Sequence, residues 1–232
     1  MRLLIATPFD GGDVLTARVT LGYHRFVRAL ERDLGADVLD GELLFAADVV
    51  RARNRAASHV LQRMPEISHV LWLDDDNFPE DVAQGLAVVH EMISSGEDLI
   101  AAPYTNKRPP LQWTHNGVQG VEPDERGVLD VLGVGFGFTI TSRACLERMA
   151  WAAETYQDLP NQTTIANLFG QVYEQHPAGV ALMSEDYSFC KRWRDLGGRV
   201  KIYLRAGIIQ HVGSRAWSAR DIPGAVLDSG PA

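Results

Sequence analysis

Apolar residues in this chain fall into two patterns: short unbroken runs, and stripes that recur every three to four positions. The runs at 3–6, 70–73 and 99–102 are too short for amphipathic helices and are bounded by turn formers, so they predict strands buried on both faces, the last spanning 98–103, as in a parallel sheet. The stripes predict helices. Val19, Tyr23, Phe26 and Leu30 form one that stops near Gly35; Val50, Ala57, Leu61 and Met64 form another, ended by Pro65. Val82, Leu86, Val89 and Ile93 form a third, with Pro79 expected at its first position and Ser94-Ser95-Gly96 closing it. With a shorter strand over 36–41, the first hundred residues alternate strand and helix about three times. That alternation predicts an α/β half-fold of the parallel, nucleotide-binding type.

Beyond residue 103 the rhythm changes. Residues 104–127 are rich in Pro, Gly and polar side chains and predict short strands and loops. Residues 128–132 and 136–141 read as strands around Gly133-Val134-Gly135, where glycine permits close approach by a ligand or simply a strand bulge. A helix is expected over 143–152, and a long loop with at most one helical segment over 154–179. Ser184 is placed to cap a helix whose buried stripe is Phe189, Trp193 and Leu196 and which ends at Gly197-Gly198. Strands follow at 199–204 and 208–213, and from Ser214 the turn-rich composition predicts a tail.

Length and charge narrow the classes. At 232 residues and 46% hydrophobic content, the chain is sufficient for one large core and is read as one domain over 1–213 with a tail at 214–232. A net charge of −8 argues against general electrostatic binding to nucleic acid. Cys145 and Cys190 have no metal-type spacing and each sits in a helical pattern, as buried thiols in a reducing compartment would. The first nine residues hold one basic residue and a short apolar run, too little for a secretory signal, and no run approaches the length of a membrane span. The expected location is the cytoplasm.

Candidate chemistry concentrates behind the run at 70–73. Asp74-Asp75-Asp76 follow it directly, at the carboxyl end of a predicted parallel strand, which is the edge where ligands bind in open α/β sheets. Three adjacent carboxylates repel one another, and a divalent cation relieves the repulsion. If the segment is extended, Asp74 and Asp76 point the same way and converge on one ion. A solvated acidic turn ahead of a helix N-terminus accounts for the same residues. Arg51, Arg53, Asn54 and Arg55 lie on the polar face of the second helix, where solvation or ion pairing is the ordinary explanation. Glu185 and Asp186 open the late helix and offset its dipole whatever else they do.

Taken in order, these features resemble the glycosyltransferases of the GT-A fold, in particular the small family 2 type. The resemblance is carried by Thr7-Pro8 after the first strand, Ala52-Arg53-Asn54 on the second helix and Leu73-Asp74-Asp75-Asp76 as a DxD motif. It continues through Gly133-Val134-Gly135-Phe136-Gly137, Ser184-Glu185-Asp186-Tyr187 and His211-Val212-Gly213, covering nearly the whole chain. Ser184 departs from the glycine common in relatives at that place.

The resemblance implies a mixed, mostly parallel sheet flanked by helices, with 1–105 as the nucleotide-binding half and 106–213 as the acceptor-side half. It further implies that Thr7, Pro8, Arg53, Asn54, Asp74 and Asp75 hold the nucleotide, and that Asp74, Asp76 and His211 bind Mn²⁺ or Mg²⁺ across the donor's diphosphate. Asp186, beside Glu185, takes the role of catalytic base in an inverting transfer. Lys107, Trp113 and His115 fall in the part that faces the acceptor, and Gly135 is taken with Lys107 and Trp113 as substrate-binding, although a tryptophan there is more often core or interface. The activity implied is transfer of a sugar from a nucleotide-sugar donor, a UDP-sugar above all, to a hydroxyl acceptor. A glycan, a natural product, a protein or a modified DNA base fits as that acceptor. The rival readings are a sugar-phosphate nucleotidyltransferase and a non-catalytic binding module of the same fold.

Overall fold

A computed structural model describes residues 1–8, 17–39, 48–107, 109–117, 121–159, 162–176, 179–212, 216–218 and 221–222. The loop that Pro8 and the glycines after it predict over 7–13 lies outside these residues from residue 9 on, as does Gly213. The first hundred residues follow the predicted alternation: β1 (Leu3–Ala6), α1 (Ala17–Leu34), β2 (Asp37–Val38), α2 (Val49–Arg63), β3 (His69–Leu73), β4 (Asn77–Pro79), α3 (Val82–Ser94) and β5 (Leu99–Ala101). The remainder contains β6 (His115–Gly117), β7 (Val128–Val134), β8 (Phe138–Ser142), α4 (Arg143–Ala152), α5 (Glu185–Asp195) and β13 (Val200–Tyr203). Between α4 and α5 lie two hairpins, β9 (Thr155–Asp158) with β10 (Thr163–Ala166) and β11 (Tyr173–His176) with β12 (Gly179–Leu182). The chain closes with β14 (Ile209–Val212) and β15 (Ala216–Trp217).

Eight strands form the central sheet in the order β2-β1-β3-β8-β5-β13-β7-β6. β7 and β8 run against the other six, so the sheet is mixed and mainly parallel. Successive strand residues face opposite sides, and here both sides are core. Leu3, Ile5, Leu71 and Leu73 pack with Phe26, Val89 and Met92 of α1 and α3, while Leu4, Ala6, Val70 and Trp72 pack with residues of α2, α4 and α5. Burial on both faces is why these strands read as unbroken apolar runs.

β3 and β5 both run antiparallel to the intervening β8, so the carboxyl ends of β1, β3 and β5 share one edge with the start of β8. Leu73 lies opposite Phe138, and the Asp74 N–H donates to the Gly137 carbonyl at 3.1 Å. A second sheet, β15-β14-β4, stands at this edge. It pairs His211 with Asn77 and sets the Val212 N–H on the Asp76 carbonyl at 2.9 Å.

Four sequence expectations are corrected. Pro79 ends β4 opposite Ile209, where the missing proline N–H removes no ladder bond it needs; α3 begins at Val82, its N-terminus capped by Asp81, which accepts from the Gln84 N–H at 2.9 Å. Within 154–179, Thr155–Asp158, Thr163–Ala166 and Tyr173–His176 are hairpin strands where a loop with at most one helical segment was expected. Asp158, fully buried at the end of β9, explains the first hairpin: Arg55 Nε holds its Oδ2 at 2.8 Å and Arg51 Nε its Oδ1 at 2.9 Å, tying β9 to α2 across more than a hundred residues. Part of the expected tail is β15, paired to β14. Ser184 does precede α5 in extended conformation, but its hydroxyl makes no capping bond.

Gly85 marks the tightest approach of α3 to the second sheet, since a Cβ there would lie 2.3 Å from Pro79 Cγ and 2.9 Å from Phe26 Cε2. Gly85→Ala should cost about 1–3 kcal/mol through overpacking and lower Tm by several degrees. Gly117→Ala, at a position with open space around it, should leave the melting curve unchanged; equal effects of the two would contradict this packing.

Candidate functional site

The turn after β3 is the first determinant of the site. The Asn77 N–H donates to the Asp74 carbonyl at 3.0 Å, so residues 74–77 form a tight turn. This corrects the extended segment expected there: alternation no longer applies, and the three aspartates diverge. Asp74 Oδ1 accepts from Arg53 Nη2 at 3.0 Å. Asp75 acts from the β1 side, where its charge adds to burial in raising the pKa of Tyr23, whose hydroxyl lies 2.7 Å from Thr7 Oγ1. Asp76 turns toward Lys107 and His211.

Arg53 joins the turn to α5. It is 2% exposed, yet it projects from what the sequence presents as a polar helix face. Its Nη1 donates to Glu185 Oε1 at 3.1 Å and to Asp186 Oδ1, while Nη2 holds Asp74. Phe136 and Phe169 flank the guanidinium, with ring centroids at 5.7 and 5.8 Å. Burial alone would lower the arginine's pKa, but Asp186, Asp74 and Glu185 outweigh it and hold the group charged. One cation thus faces three carboxylates, and the excess negative charge has a direct consequence. Burial first, then Glu185 and Asp74, push the Asp186 carboxyl up to about 7 against the opposing pull of Arg53. Asp186 also accepts a hydrogen bond from the Phe136 backbone N–H.

On the other flank, His211 Nε2 lies 3.6 Å from Asp76 Oδ1. Its Nδ1 is 2.6 Å from the Thr105 carbonyl, which can only accept, so the hydrogen-bond network assigns the ring proton to Nδ1 and leaves the Nε2 lone pair facing Asp76. Burial lowers the pKa of this imidazole more than Asp76 raises it, keeping it neutral. A lone pair opposite a carboxylate oxygen calls for positive charge between them, and an Nδ1–H donated to a carbonyl is the usual support of a metal-ligating histidine. Beside them, Asn77 donates through Nδ2 to Asp76 Oδ1 at 3.1 Å; among the described residues its own buried Oδ1 and the buried Thr105 Oγ1 have no partner. These residues fit a divalent cation held by few protein ligands, with substrate phosphates and water completing its shell. Among the described residues, no group of three or more His, Cys, Asp or Glu side chains converges as a complete cage.

The remaining predicted residues are placed as follows. Thr7 is buried at the end of β1, with Pro8 half-buried after it. Asn54 is 1% exposed and serves the scaffold, donating to Asn167 Oδ1 at 3.1 Å and accepting from the Phe169 N–H at 2.8 Å. Trp113 forms a backbone bridge with Thr105, and its ring packs against His115 at 5.3 Å. Gly135 and Gly137 have no room for a Cβ, which would lie 2.3 and 2.9 Å from the Tyr104 hydroxyl.

Tyr104 was not singled out by sequence. It accepts from the Gly137 N–H at 2.9 Å and packs edge-on against His211, so it props both flanks of the site. Phe136 and Phe169 were likewise missed as the walls around Arg53. The signal for Tyr104 was the glycine on each side of Phe136: bare backbone there implies that something bulky approaches it.

By sequence, no family model and no curated protein matches the chain. Its coordinates are similar to those of A197 from STIV, with 18% identity and a TM-score of 0.49 over 87% of this chain and 81% of that one. They are also similar to the catalytic domain of Drosophila beta1,4galactosyltransferase 7 in complex with xylobiose, with 12% identity and a TM-score of 0.48 over 99% and 82%. A third similar structure, from Bacillus anthracis, is described as a glucose-1-phosphate thymidylyltransferase: 11% identity and a TM-score of 0.33 over 66% and 75%. At these scores and identities, the likenesses carry no argument about activity. No helix among the described residues is long and apolar enough to cross a membrane.

Arg53→Met removes the counter-charge that Asp74, Glu185 and Asp186 share. The loss should be about 3–5 kcal/mol, as for other broken buried ion pairs. Arg53 favours the ionised form of Asp186, so the deficit should grow as pH rises through about 7, where Asp186 ionises in the parent, and should be smaller below that value. Thermal melts at about pH 5 and about pH 8 check both size and sign.

Proposed function

We propose that this protein is a divalent-cation-dependent glycosyltransferase that moves a sugar from a nucleoside diphosphate donor, a UDP-sugar first among candidates, to a hydroxyl acceptor with inversion. The observation that carries the reading is a pair of unlike acidic centres on one sheet edge: the Asp76 carboxylate facing an imidazole lone pair, and the buried Asp186 carboxyl pushed up to about 7, which Arg53 ties to Asp74 of the same turn as Asp76. The first suits a cation on a diphosphate. The second suits a proton acceptor, because a base works best when its pKa lies near the working pH.

In this mechanism Asp76 and His211 would hold Mn²⁺ or Mg²⁺, the imidazole favouring Mn²⁺. When bound, the ion neutralises charge gathering on the departing diphosphate. Thr7, Pro8 and Asp75 line the nucleotide side at the end of β1. As the acceptor oxygen attacks the anomeric carbon, its proton passes to the Asp186 carboxylate. The bond from that carbon to the donor's phosphate oxygen breaks, and the electron pair leaves with the nucleoside diphosphate. Arg53 does not move in this sequence: it holds Asp186 in place and keeps the base ionisable.

Asp186→Asn, which preserves shape, should reduce kcat by about 10²–10⁴-fold while donor affinity, measured calorimetrically, stays within a few-fold of the parent. Because the base works only when deprotonated, kcat/KM of the parent should rise with pH up to about 7 and then level. A flat profile across that range would exclude Asp186 from the role.

Asp76→Ala should abolish the gain in donor affinity that Mn²⁺ confers. Nucleotide-sugars screened by thermal shift with and without Mn²⁺ identify the donor. Retention of anomeric configuration in the NMR spectrum of the product would overturn the assignment of Asp186 as base. Pyrophosphate release from a nucleoside triphosphate and a sugar phosphate would replace the reading with nucleotidyl transfer.

A further inference from the structure

Lys107 occupies an unexpected place. It sits in the loop after β5, yet its ammonium contacts Asp76 Oδ2, the same carboxylate whose Oδ1 faces the lone pair of His211. The loop behind it is closed independently of this contact. Asn106 N–H donates to the Gln112 carbonyl at 2.9 Å, Asn106 Nδ2 to the Pro110 carbonyl at 3.2 Å, and Thr105 bridges Trp113. Lys107 is the first residue beyond that closure, and its side chain is 41% exposed while that of Asp76 is 16% exposed. The ammonium can therefore leave the carboxylate by rotating its own flexible stem, with no break in the backbone.

We infer that Lys107 is an exchangeable counter-ion: it neutralises Asp76 while the cation position is empty, and it moves onto the donor's diphosphate when cation and donor arrive together. This rests on the cation site proposed above. A carboxylate facing an imidazole lone pair needs positive charge nearby at all times, and a single ammonium supplies it at low cost. A divalent ion between Asp76 and His211 then competes with Lys107 for the same carboxylate. The displaced ammonium has three donors to satisfy, and a phosphate oxygen on that ion is an anion within reach of the same stem. The exchange would penalise cation binding without donor and favour the two together, which is the coupling an ordered donor site requires.

The test is calorimetry on the full chain, with MnCl2 alone and then UDP at saturating Mn²⁺. Lys107→Met should bind Mn²⁺ alone about tenfold tighter, since a like charge has been removed from contact range. It should bind UDP with Mn²⁺ about tenfold weaker, for want of the phosphate contact. Lys107→Arg, which keeps the charge, should bind Mn²⁺ alone as the parent does. It tests the competition even if the methionine variant fails to fold.

Equal Mn²⁺ affinity in parent and methionine variant, or tighter Mn²⁺ binding by the arginine variant, would overturn the exchange while leaving the cation site standing. No Mn²⁺ binding by any form, with cation-independent UDP binding that is unchanged in Lys107→Met, would show Lys107 to be a permanent counter-ion. That result would overturn both the exchange and the cation reading.

Discussion

A single buried guanidinium organises this molecule. Arg53 is surrounded by three carboxylates from two distant parts of the chain and walled by two phenylalanine rings. Removing an arginine from water is expensive unless its donors are met by anions, and burying three acids together is expensive unless a cation sits among them. Each cost is offset only by the presence of the other. The start of α5 must therefore dock against the end of β3, and α2 must present Arg53 between them. The same arrangement leaves more negative than positive charge, and burial, with that imbalance added to it, raises the Asp186 carboxyl toward neutrality.

The second constraint is geometric. The turn at 74–77 points its three aspartates in different directions, so each serves a different neighbour. Immediately after it the chain enters β4, which pairs with β14 in a sheet separate from the main one. That pairing places His211 opposite Asn77 and beside Asp76, and it depends on backbone hydrogen bonds that any sequence of suitable strand propensity can make. Tyr104 fills the angle between the two sheets. Glycine at 135 and 137 follows from its hydroxyl, which stands where a Cβ would be.

Much of this was legible beforehand. Unbroken apolar runs signalled strands covered on both faces, as the alternation of Leu3 and Ile5 against Leu4 and Ala6 bears out. Helical stripes located α1, α2, α3 and α5, because the apolar positions of each pack onto the core. The stretch from 154 to 182 was not legible. Val180, Leu182 and Tyr173 are exposed there, so no buried face imposes a period, and the first hairpin is fixed by an acid that finds its arginines a hundred residues away. Pro79 misled for a similar reason: proline suits both the first turn of a helix and the end of an edge strand, and only the partner strand decides.

What the sequence determined by itself was local: strand and helix periods, the acids at the carboxyl end of a buried strand, and the glycines that demand a close neighbour. Those depend on residues a few positions apart. The tertiary structure decided which charges meet. Arg53 and Asn54 are adjacent on one helix with similar burial, yet one gathers the acids of the candidate site and the other fastens a loop to the scaffold. Asp74 and Asp76, two residues apart, face an arginine on one side and a lysine and a histidine on the other. Coulomb energy and hydrogen-bond geometry depend on distance in space, and folding brought these groups together from positions up to about 140 residues apart.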